Sequence, residues 1–211
     1  MKILLAFLLV FILLIPLGCD SAPDEVDEAD PGEEFEPGNG EANGDAPAMA
    51  RVDTAPQLDG SGEGFTAEPL LVAGTEIYLA HDGDLLYVHM EADVEGWISV
   101  GFNSQGGGMN GANMILGYLD NGSPAYRDDV GQGNRHSEIS SPAVVDFHFS
   151  VDNGTTTMAF SYPLVFPDDE GFNLEGLTPG ENYTMIVAVN NSSYNISSAH
   201  STRGSTDFMA E

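Results

Sequence analysis

Residues 51–211 are predicted to fold as one all-β domain, an antiparallel immunoglobulin-like β-sandwich. Short runs rich in Val, Ile, Tyr and Phe recur along this part of the chain. Gly, Asn and Pro stand between the runs and mark tight turns. After residue 20 no segment has the 3.6-residue period of an amphipathic helix. We therefore expect eight or nine strands around a single core.

The individual strands follow from local patterns. Asn121-Gly122 and Asn153-Gly154 each stand between two apolar runs, which is the signal of a two-residue hairpin turn. His-Asp-Gly-Asp at 81–84 predicts a third hairpin. In GWISVGFN every second side chain is apolar, so Ile98 to Phe102 is expected to present one face to the core. ENYTMIVAVN forms a later strand.

The N-terminus, MKILLAFLLVFILLIPLGCD, has the layout of an export signal. Lys2 precedes an apolar run that is shorter than the roughly 20 residues of a membrane-spanning helix. IPLGC resembles a lipobox, in which Cys19 becomes the lipidated first residue after removal of residues 1–18. An uncleaved N-terminal anchor is the alternative. Both predict an extracytoplasmic, membrane-anchored domain, either periplasmic or on the cell surface.

Residues 19–50 are predicted to be a disordered acidic tether. This segment holds eleven acidic residues and no basic one, with many Pro, Gly and Ala. Such a composition cannot bury enough apolar surface to offset the entropy of ordering. A metal-binding acidic tail is the alternative. Cys19 is the only cysteine in the chain, so the folded domain has no disulfide, no zinc–thiolate site and no thiol nucleophile.

The charge of the chain excludes one class of partner. The sequence has 34 acidic residues against five basic ones, and Lys2 is its only lysine. Nucleic-acid binding is excluded because phosphate contacts need a basic surface. The acidity instead suits a basic partner protein or a salty habitat. Asn-x-Ser/Thr sequons, for example at Asn121 and Asn153, permit glycosylation in a host that has the machinery.

No catalytic constellation is evident, so we expect the protein not to be an enzyme. The sequence lacks G-x-S-x-G and H-E-x-x-H, and Gly106–Gly108 is not followed by the Lys-Ser/Thr of a phosphate-binding loop. Two carboxylate pairs, Asp128 with Asp129 and Asp168 with Asp169, lie in polar, turn-like sequence. We interpret both pairs as solvated.

Two loop residues stand out as candidate ligands. Met109 lies within FNSQGGGMNGAN and His200 within SSAHSTRGS, and neither has an obvious packing partner in its own loop. A thioether and an imidazole can hold a haem iron from opposite faces, with a raised reduction potential. The other histidines are expected to be hydrogen-bonded or at the surface: His81 in a hairpin turn, His136 in a polar loop, His89 and His148 on strands. Met114 is a second candidate sulfur, although its apolar neighbours favour the core.

The segment from about Leu58 to Phe208 resembles the DOMON domain family. The pieces that carry the resemblance occur in the family's order: GWISVGFN, GGGMNGANMILGYLDNG, FSYPL and AHSTRGS. The resemblance implies a β-sandwich, and in haem-binding members it makes Met109 and His200 the axial ligands of haem b. Arg203 is then expected beside a haem propionate. Trp97 is expected to line the sandwich or the haem pocket.

The resemblance implies two alternative functions. With haem held by both Met109 and His200, the domain would pass single electrons between a redox partner protein and the next carrier. Without haem, the same sandwich would bind a carbohydrate or another small ligand, and Tyr78, Tyr126 and Tyr194 are candidate contacts. A plain adhesion or scaffolding domain needs no site at all.

Overall fold

The computed structural model describes residues 48–167 and 174–211, which form twelve β-strands and contain no helix. The strands are β1 (Ala48–Arg51), β2 (Leu70–Val72), β3 (Thr75–His81), β4 (Leu85–Ala92), β5 (Ile98–Phe102), β6 (Asn113–Asp120), β7 (Ser123–Gln132), β8 (Arg135–Glu138), β9 (Asp146–Asp152), β10 (Thr155–Pro163), β11 (Asn182–Val189) and β12 (Thr202–Ala210). The all-β prediction is confirmed. The expected number of strands was too low because β1, β2 and β8 have only three or four residues and little apolar alternation.

The strands form two packed sheets joined by β1. Sheet A has the order β8-β7-β6-β5-β11-β12, and sheet B has the order β3-β4-β10-β9 with β2 beside β3. Every pairing within the two sheets is antiparallel, as predicted. The exception is β1, which pairs in parallel with both β12 and β3 and so connects the sheets into one continuous path.

The main core lies between the inner faces of the two sheets. In β5, Ile98, Val100 and Phe102 are buried in this core, which confirms the alternation read from GWISVGFN. From sheet B, strands β4 and β10 contribute residues such as Met90 and Phe160, which are fully buried. Apolar and polar side chains alternate along these strands. The face of each strand that carries the apolar side chains therefore packs into the core.

Two hairpins close as their Asn-Gly dipeptides predict. Asn121 and Gly122 have φ angles of 51° and 81°, and Asn153 and Gly154 have φ angles of 50° and 87°. Both residues of each turn are thus left-handed, which Asn and Gly tolerate better than other residues. These turns set the register of β6 with β7 and of β9 with β10.

The β-structure includes residues before residue 51. Strand β1 begins at Ala48, and Met49 is completely buried in the main core. Cys19, the signal segment and most of the acidic tether lie outside the described residues, as do Asp168 and Asp169. Within residues 48–167 and 174–211 there is no helix that is long and apolar enough to cross a membrane.

The interpretation of Asp128 and Asp129 as solvated turn residues was wrong. Both lie within β7, and both are fully buried. Because they are neighbours on a strand, their side chains point to opposite faces of sheet A. Asp128 points toward the core and Asp129 toward the other face.

Asp128 belongs to a buried polar network that crosses between the sheets. Tyr162 on β10 donates its hydroxyl to Asp128 Oδ2 at 2.8 Å, and Asn113 on β6 donates to Asp128 Oδ1 at 3.1 Å. The backbone N–H of Ala143 donates to Oδ2 at 2.9 Å. Burial nevertheless raises the pKa of Asp128, because the charged form is desolvated more than these donors compensate.

The raised pKa of Asp128 predicts a specific pH dependence of stability. The folded state binds the proton more tightly than the unfolded state, whose carboxyl has the ordinary pKa of 3.8. The free energy of unfolding should therefore fall as the pH rises from 3.8 through the folded pKa, by at most about 1.4 kcal/mol per pH unit. Urea denaturation across this range should show the slope in the native protein and its loss in Asp128→Asn. An Asp146→Asn control, at an exposed carboxylate, should keep it; an unchanged slope in Asp128→Asn would contradict the assignment.

Candidate functional site

Sheet A also buries part of its outer face, on the side away from sheet B. Ala112, Met114, Leu116 and Ile186 form a second apolar group there, separate from the main core. Met109 and Ile196 pack against this group, which we call the outer cluster. The outer face of a sandwich sheet is ordinarily polar, so a buried apolar group here marks a candidate site.

The strand register explains the shape of this face. One cross-strand row runs Arg203, Ala188, Ser99, Leu116, Arg127 across β12, β11, β5, β6 and β7. The next row runs Ser205, Ile186, Gly101, Met114, Asp129. The middle of the face thus carries small residues, with larger apolar and charged residues on either side.

Gly101 has no side chain, and this leaves space for its neighbours in the middle of this face. A Cβ atom at Gly101 would lie 2.8 Å from Cγ1 of Ile186 and 3.0 Å from Cγ of Met114. The side chains of Ile186 and Met114 therefore cover Gly101. Any side chain added at Gly101 would displace them. The structure explains why a glycine interrupts the strand pattern of GWISVGFN.

Met109 is held over the outer cluster by the loop between β5 and β6. The Ala112 N–H donates to the Met109 carbonyl at 3.0 Å, and the Gly131 N–H donates to the Ala112 carbonyl at 2.9 Å. Gly106, Gly107 and Gly111 adopt left-handed φ angles of 70–77° and so allow the loop to fold back on itself. A methionine in a glycine-rich loop has a packing partner after all, on the outer face of sheet A.

The loop between β11 and β12, which carries His200, is fastened to the start of β5. The Asn190 N–H donates to the Trp97 carbonyl at 2.9 Å, and the Trp97 N–H donates to the Ser193 carbonyl at 3.0 Å. Within the loop, Asn190 Nδ2 donates to the Ala199 carbonyl at 2.8 Å. The loop therefore has a defined position beside the outer cluster, which it reaches through Ile196.

His200 is half-buried in this loop. Its pKa is lowered, mainly by burial and further by the positive charge of Arg203. A neutral imidazole is the form that binds a metal, so the surroundings favour the ligating state at neutral pH. Arg203 itself is exposed on β12, opposite Ala188 of the small-residue row.

The two loops leave sheet A at opposite ends of its strands. The Met109 loop follows the Phe102 end of β5, whereas the His200 loop follows Val189, which pairs with Ile98 at the other end of β5. Both loops nevertheless contribute to the outer cluster, through Met109 and Ile196. A group bound on this face would therefore have the methionine loop on one side and the histidine loop on the other.

Trp97, expected to line the sandwich or the haem pocket, is not part of the main core and has the same alternation as Ser99 and Gly101 on this face. It is 4% exposed, at the end of β5 that the His200 loop covers. Its indole Nε1 is buried and has no hydrogen-bond partner among the described residues. A buried donor without a partner is uncommon. The Trp97 indole N–H is therefore available to donate a hydrogen bond to a group bound beside the candidate site.

Three further histidines differ from or refine their predictions. His81 is the last residue of β3 and is buried, with Nε2 against the Glu211 carbonyl, so its placement in a turn was wrong. His136 lies on β8, so its placement in a polar loop was also wrong, but it bonds Asp129 as a hydrogen-bonded histidine was expected to do. His89 bonds Glu91 through Nε2 at 3.0 Å, as expected for a strand histidine with a partner.

Other candidate sites lie elsewhere. Residues 48–167 and 174–211 contain no group of three or more His, Cys, Asp or Glu side chains that could hold a metal ion. A cavity of about 460 Å³ lies at the end of sheet A behind the Met109 loop. Asn103, Gln105, Asn110, Gln132 and Glu175 are among its lining residues, whereas Met109 and His200 are not.

The three tyrosines considered for sugar stacking are not gathered into one platform. Tyr78 lies on β3 of sheet B, where its ring contacts Phe65 and His89. Tyr126 lies on β7 and packs on Phe147. Tyr194 packs against the main core from the loop after β11.

The position of Met109 is predicted to depend on Gly131. A Cβ atom at Gly131 would overlap the Met109 carbonyl, so Gly131→Ala must displace the loop. We expect a loss of about 1–3 kcal/mol in the free energy of unfolding and a shifted Met109 methyl NMR signal. Gly108→Ala is the matched control, because a Cβ there meets nothing within 4 Å and its φ is not left-handed. Equal stability of the two variants would show that Gly131 does not position the loop.

Comparisons with known proteins agree with this architecture. A family model described as the DOMON domain matches residues 76–190, more than half of the chain. Among solved structures, the cytochrome b domain of pyranose dehydrogenase from Coprinopsis cinerea is similar to this chain, with a TM-score of 0.55 and 14% sequence identity over 74% of this chain and 88% of that one. At this identity the likeness concerns the fold alone. No curated protein matches the sequence. The resemblance seen in the sequence is confirmed: this protein belongs to the DOMON family.

Proposed function

We propose that this DOMON domain binds haem b on the outer face of sheet A and carries electrons outside the cytoplasm. The observation that carries the proposal is the outer cluster, because loops from opposite ends of sheet A each contribute a side chain to it, Met109 and Ile196, and the second loop also carries His200. The solved structure with a similar fold is itself named as a cytochrome b domain. Haem supplies reversible one-electron redox chemistry when it is bound.

The residues on this face fit the chemistry of the group. Met109 offers a thioether and His200 an imidazole whose lowered pKa favours the neutral form, and these two side chains would hold a haem iron and favour a raised reduction potential. The small residues Ser99 and Ala188 lie side by side on this face, in the cross-strand row that ends at Arg203. The partly apolar surroundings would suit the apolar porphyrin ring, whose carboxylates lie at one edge.

Two polar side chains are assigned to the rim of the site. Arg203 lies on β12 next to the row of small residues and exerts its positive charge on His200. Its guanidinium is suited to a propionate, which it can bind through two parallel hydrogen bonds. Trp97 has a buried N–H that no described residue accepts, and we assign it to a second polar atom of the bound group.

Ligation by both side chains decides the class of reaction. If Met109 and His200 both held the iron, the site would leave no place for oxygen or peroxide, so electron transfer and not catalysis is the proposed activity. The strongly acidic chain suits a basic redox partner, with an encounter that is steered by charge and weakened by salt.

The proposal predicts an optical signature. The full-length protein, incubated with haem and freed of the excess, should give a six-coordinate low-spin spectrum with sharp bands after reduction by dithionite. Met109→Ala and His200→Ala should each lose the low-spin signature, because one axial ligand is removed. Absorption spectra of the oxidised and reduced forms check this.

Matched variants identify the ligands. Met114 also belongs to the outer cluster, so Met114→Leu distinguishes the two candidate sulfurs and should keep the low-spin spectrum. His148→Ala, on sheet B, is the histidine control. Loss of the signature in Met114→Leu but not in Met109→Ala would transfer the ligand role to Met114. No retained haem in the native protein would refute the proposal.

The alternative function is the binding of a small ligand by a haem-free domain. The cavity behind the Met109 loop favours it, since carboxamide side chains line much of the wall and can both donate and accept hydrogen bonds. An uncharged, hydroxylated molecule such as a carbohydrate suits this lining. Absence of haem together with saturable carbohydrate binding in calorimetry would select this function.

We also propose that the domain is tethered to a membrane through a lipid on Cys19. The supporting observation is the IPLGC sequence after an apolar run at the N-terminus. Cys19→Ser should release the protein from the membrane fraction of its host, whereas the native protein should stay there and carry the mass of an acyl-modified cysteine. Equal membrane association of the two forms would favour the uncleaved anchor.

A further inference from the structure

The outer face of sheet B, on the side away from sheet A, carries aromatic side chains that are only partly covered. The loop between β1 and β2 crosses this face, where a Cβ atom at Gly62 would lie 3.2 Å from His89 Nε2. Phe65 of this loop has its ring centroid 6.2 Å from that of Tyr78 and 5.9 Å from that of His89. His89 is buried, whereas Phe65 and Tyr78 keep part of their surface in contact with solvent.

Leu71 on the short edge strand β2 extends this aromatic group. Its side chain is 74% exposed, and it pairs with Glu76 on β3. Tyr78 follows Glu76 by two residues and therefore projects to the same face. Diagonal neighbours on paired strands lie about 7–8 Å apart, which is within reach of an aromatic side chain. We call Phe65, Leu71 and Tyr78 the sheet-B patch.

Carboxylates border the sheet-B patch. The Tyr78 hydroxyl donates to Glu76 Oε2 at 3.4 Å. The Glu91 side chain is 42% exposed and is positioned by His89, whose Nε2 lies 3.0 Å from its Oε1. The pKa of Tyr78 is raised, mainly by burial and further by the negative charges of Glu76, Glu91 and Glu68. Three acidic side chains are therefore close enough to act on one tyrosine ring.

The strands of sheet B supply no basic side chain to balance these charges. Strands β2, β3, β4, β9 and β10 contain no Lys or Arg. Arg51 on β1 pairs with His81, at the end of β3 opposite to Glu76. Glu76 has no ion-pair partner among the described residues, and it stands directly across from Glu91. Like charges directly opposite each other destabilise a sheet, so a positive charge from outside would relieve this pair.

We propose that the sheet-B patch docks a basic segment of a partner protein, with arginine favoured over lysine. A guanidinium stacks on an aromatic face and pairs with a carboxylate at the same time, and Tyr78 and Glu76 offer both. The aliphatic stem of the same side chain would lie against Leu71. Charge complementarity selects this occupant, because a second copy of this acidic chain would be repelled. The inference does not depend on bound haem.

The experiment is a titration of the full-length protein with a peptide of four arginines, acetylated and amidated at its ends. A salt concentration of about 0.15 M screens non-specific attraction, since the Debye length is then about 8 Å. NMR signals of the Leu71 methyls and the Tyr78 ring should shift and saturate. In the double variant Leu71→Ser/Glu76→Gln the Kd should rise about fivefold or more, because one apolar contact and one charge are lost. Both residues are exposed, so the fold should be kept.

Matched variants test the position and the chemistry of the patch. Val165→Ser/Glu181→Gln removes an equally exposed apolar side chain and one charge away from the patch, and it should bind like the native protein. Tyr78→Phe keeps the ring and should also bind like the native protein, whereas Tyr78→Leu should weaken binding, with circular dichroism confirming its fold. A peptide of four glutamines should not bind.

The contrary outcomes are distinct. Equal weakening in the two double variants would show general attraction to an acidic chain and overturn the proposal. Saturable shifts that leave out Leu71 and Tyr78 would overturn it as well. Self-association of the native protein that Leu71→Ser/Glu76→Gln abolishes would assign the patch to a second copy and refute a basic partner. None of these results bears on haem binding, so this inference and the proposed function can fail separately.

Discussion

Burial of both faces of sheet A is the constraint on which the rest of this structure depends. The inner face packs against sheet B in the ordinary way of a β-sandwich. The outer face carries Met114, Leu116 and Ile186, each nearly inaccessible to water, and a fully buried side chain of this kind stabilises the fold by about 1.5–3 kcal/mol. Apolar side chains on an outer face must be shielded from water. The two long loops that follow β5 and β11 shield these side chains.

The same constraint explains where the glycines and the polar contacts lie. Gly101 leaves room for Ile186 and Met114 to close over the strand, and Gly131 leaves room for the Met109 carbonyl. On the inner side, Asn113, Asp128 and Tyr162 form a hydrogen-bonded network in the core, whereas Asp129, one residue further along β7, serves the outer face. Adjacent residues on one strand therefore have unrelated surroundings, because a strand turns successive side chains to opposite faces.

This two-sided sheet gives the proposed function its physical basis. A redox group with an aromatic ring needs an apolar surface against the ring and ligands held by rigid parts of the fold. It also needs a small number of charged side chains at defined positions. The outer face of sheet A combines an apolar cluster, two anchored loops, and two of the four arginines of the chain at the ends of one cross-strand row. The cavity behind the Met109 loop adds a polar surface, lined mainly by carboxamide side chains and by Glu175, that shares Gly111 and Gly131 with the support of that loop.

Local sequence alone determined the fold class, the two Asn-Gly hairpins, the inward face of β5 and membership of the DOMON family, because these depend on alternation, turn chemistry and short motifs. It also drew attention to Met109 and His200, as loop residues without partners nearby. Only the tertiary structure decided that Met109 and Met114 share one cluster, that Trp97 lies outside the main core, and that Asp128 and Asp129 are buried on different faces. It also placed His136 beside Asp129. These facts depend on which strands become neighbours and in what register, and pairings between residues far apart in the chain leave no local pattern from which they could be read.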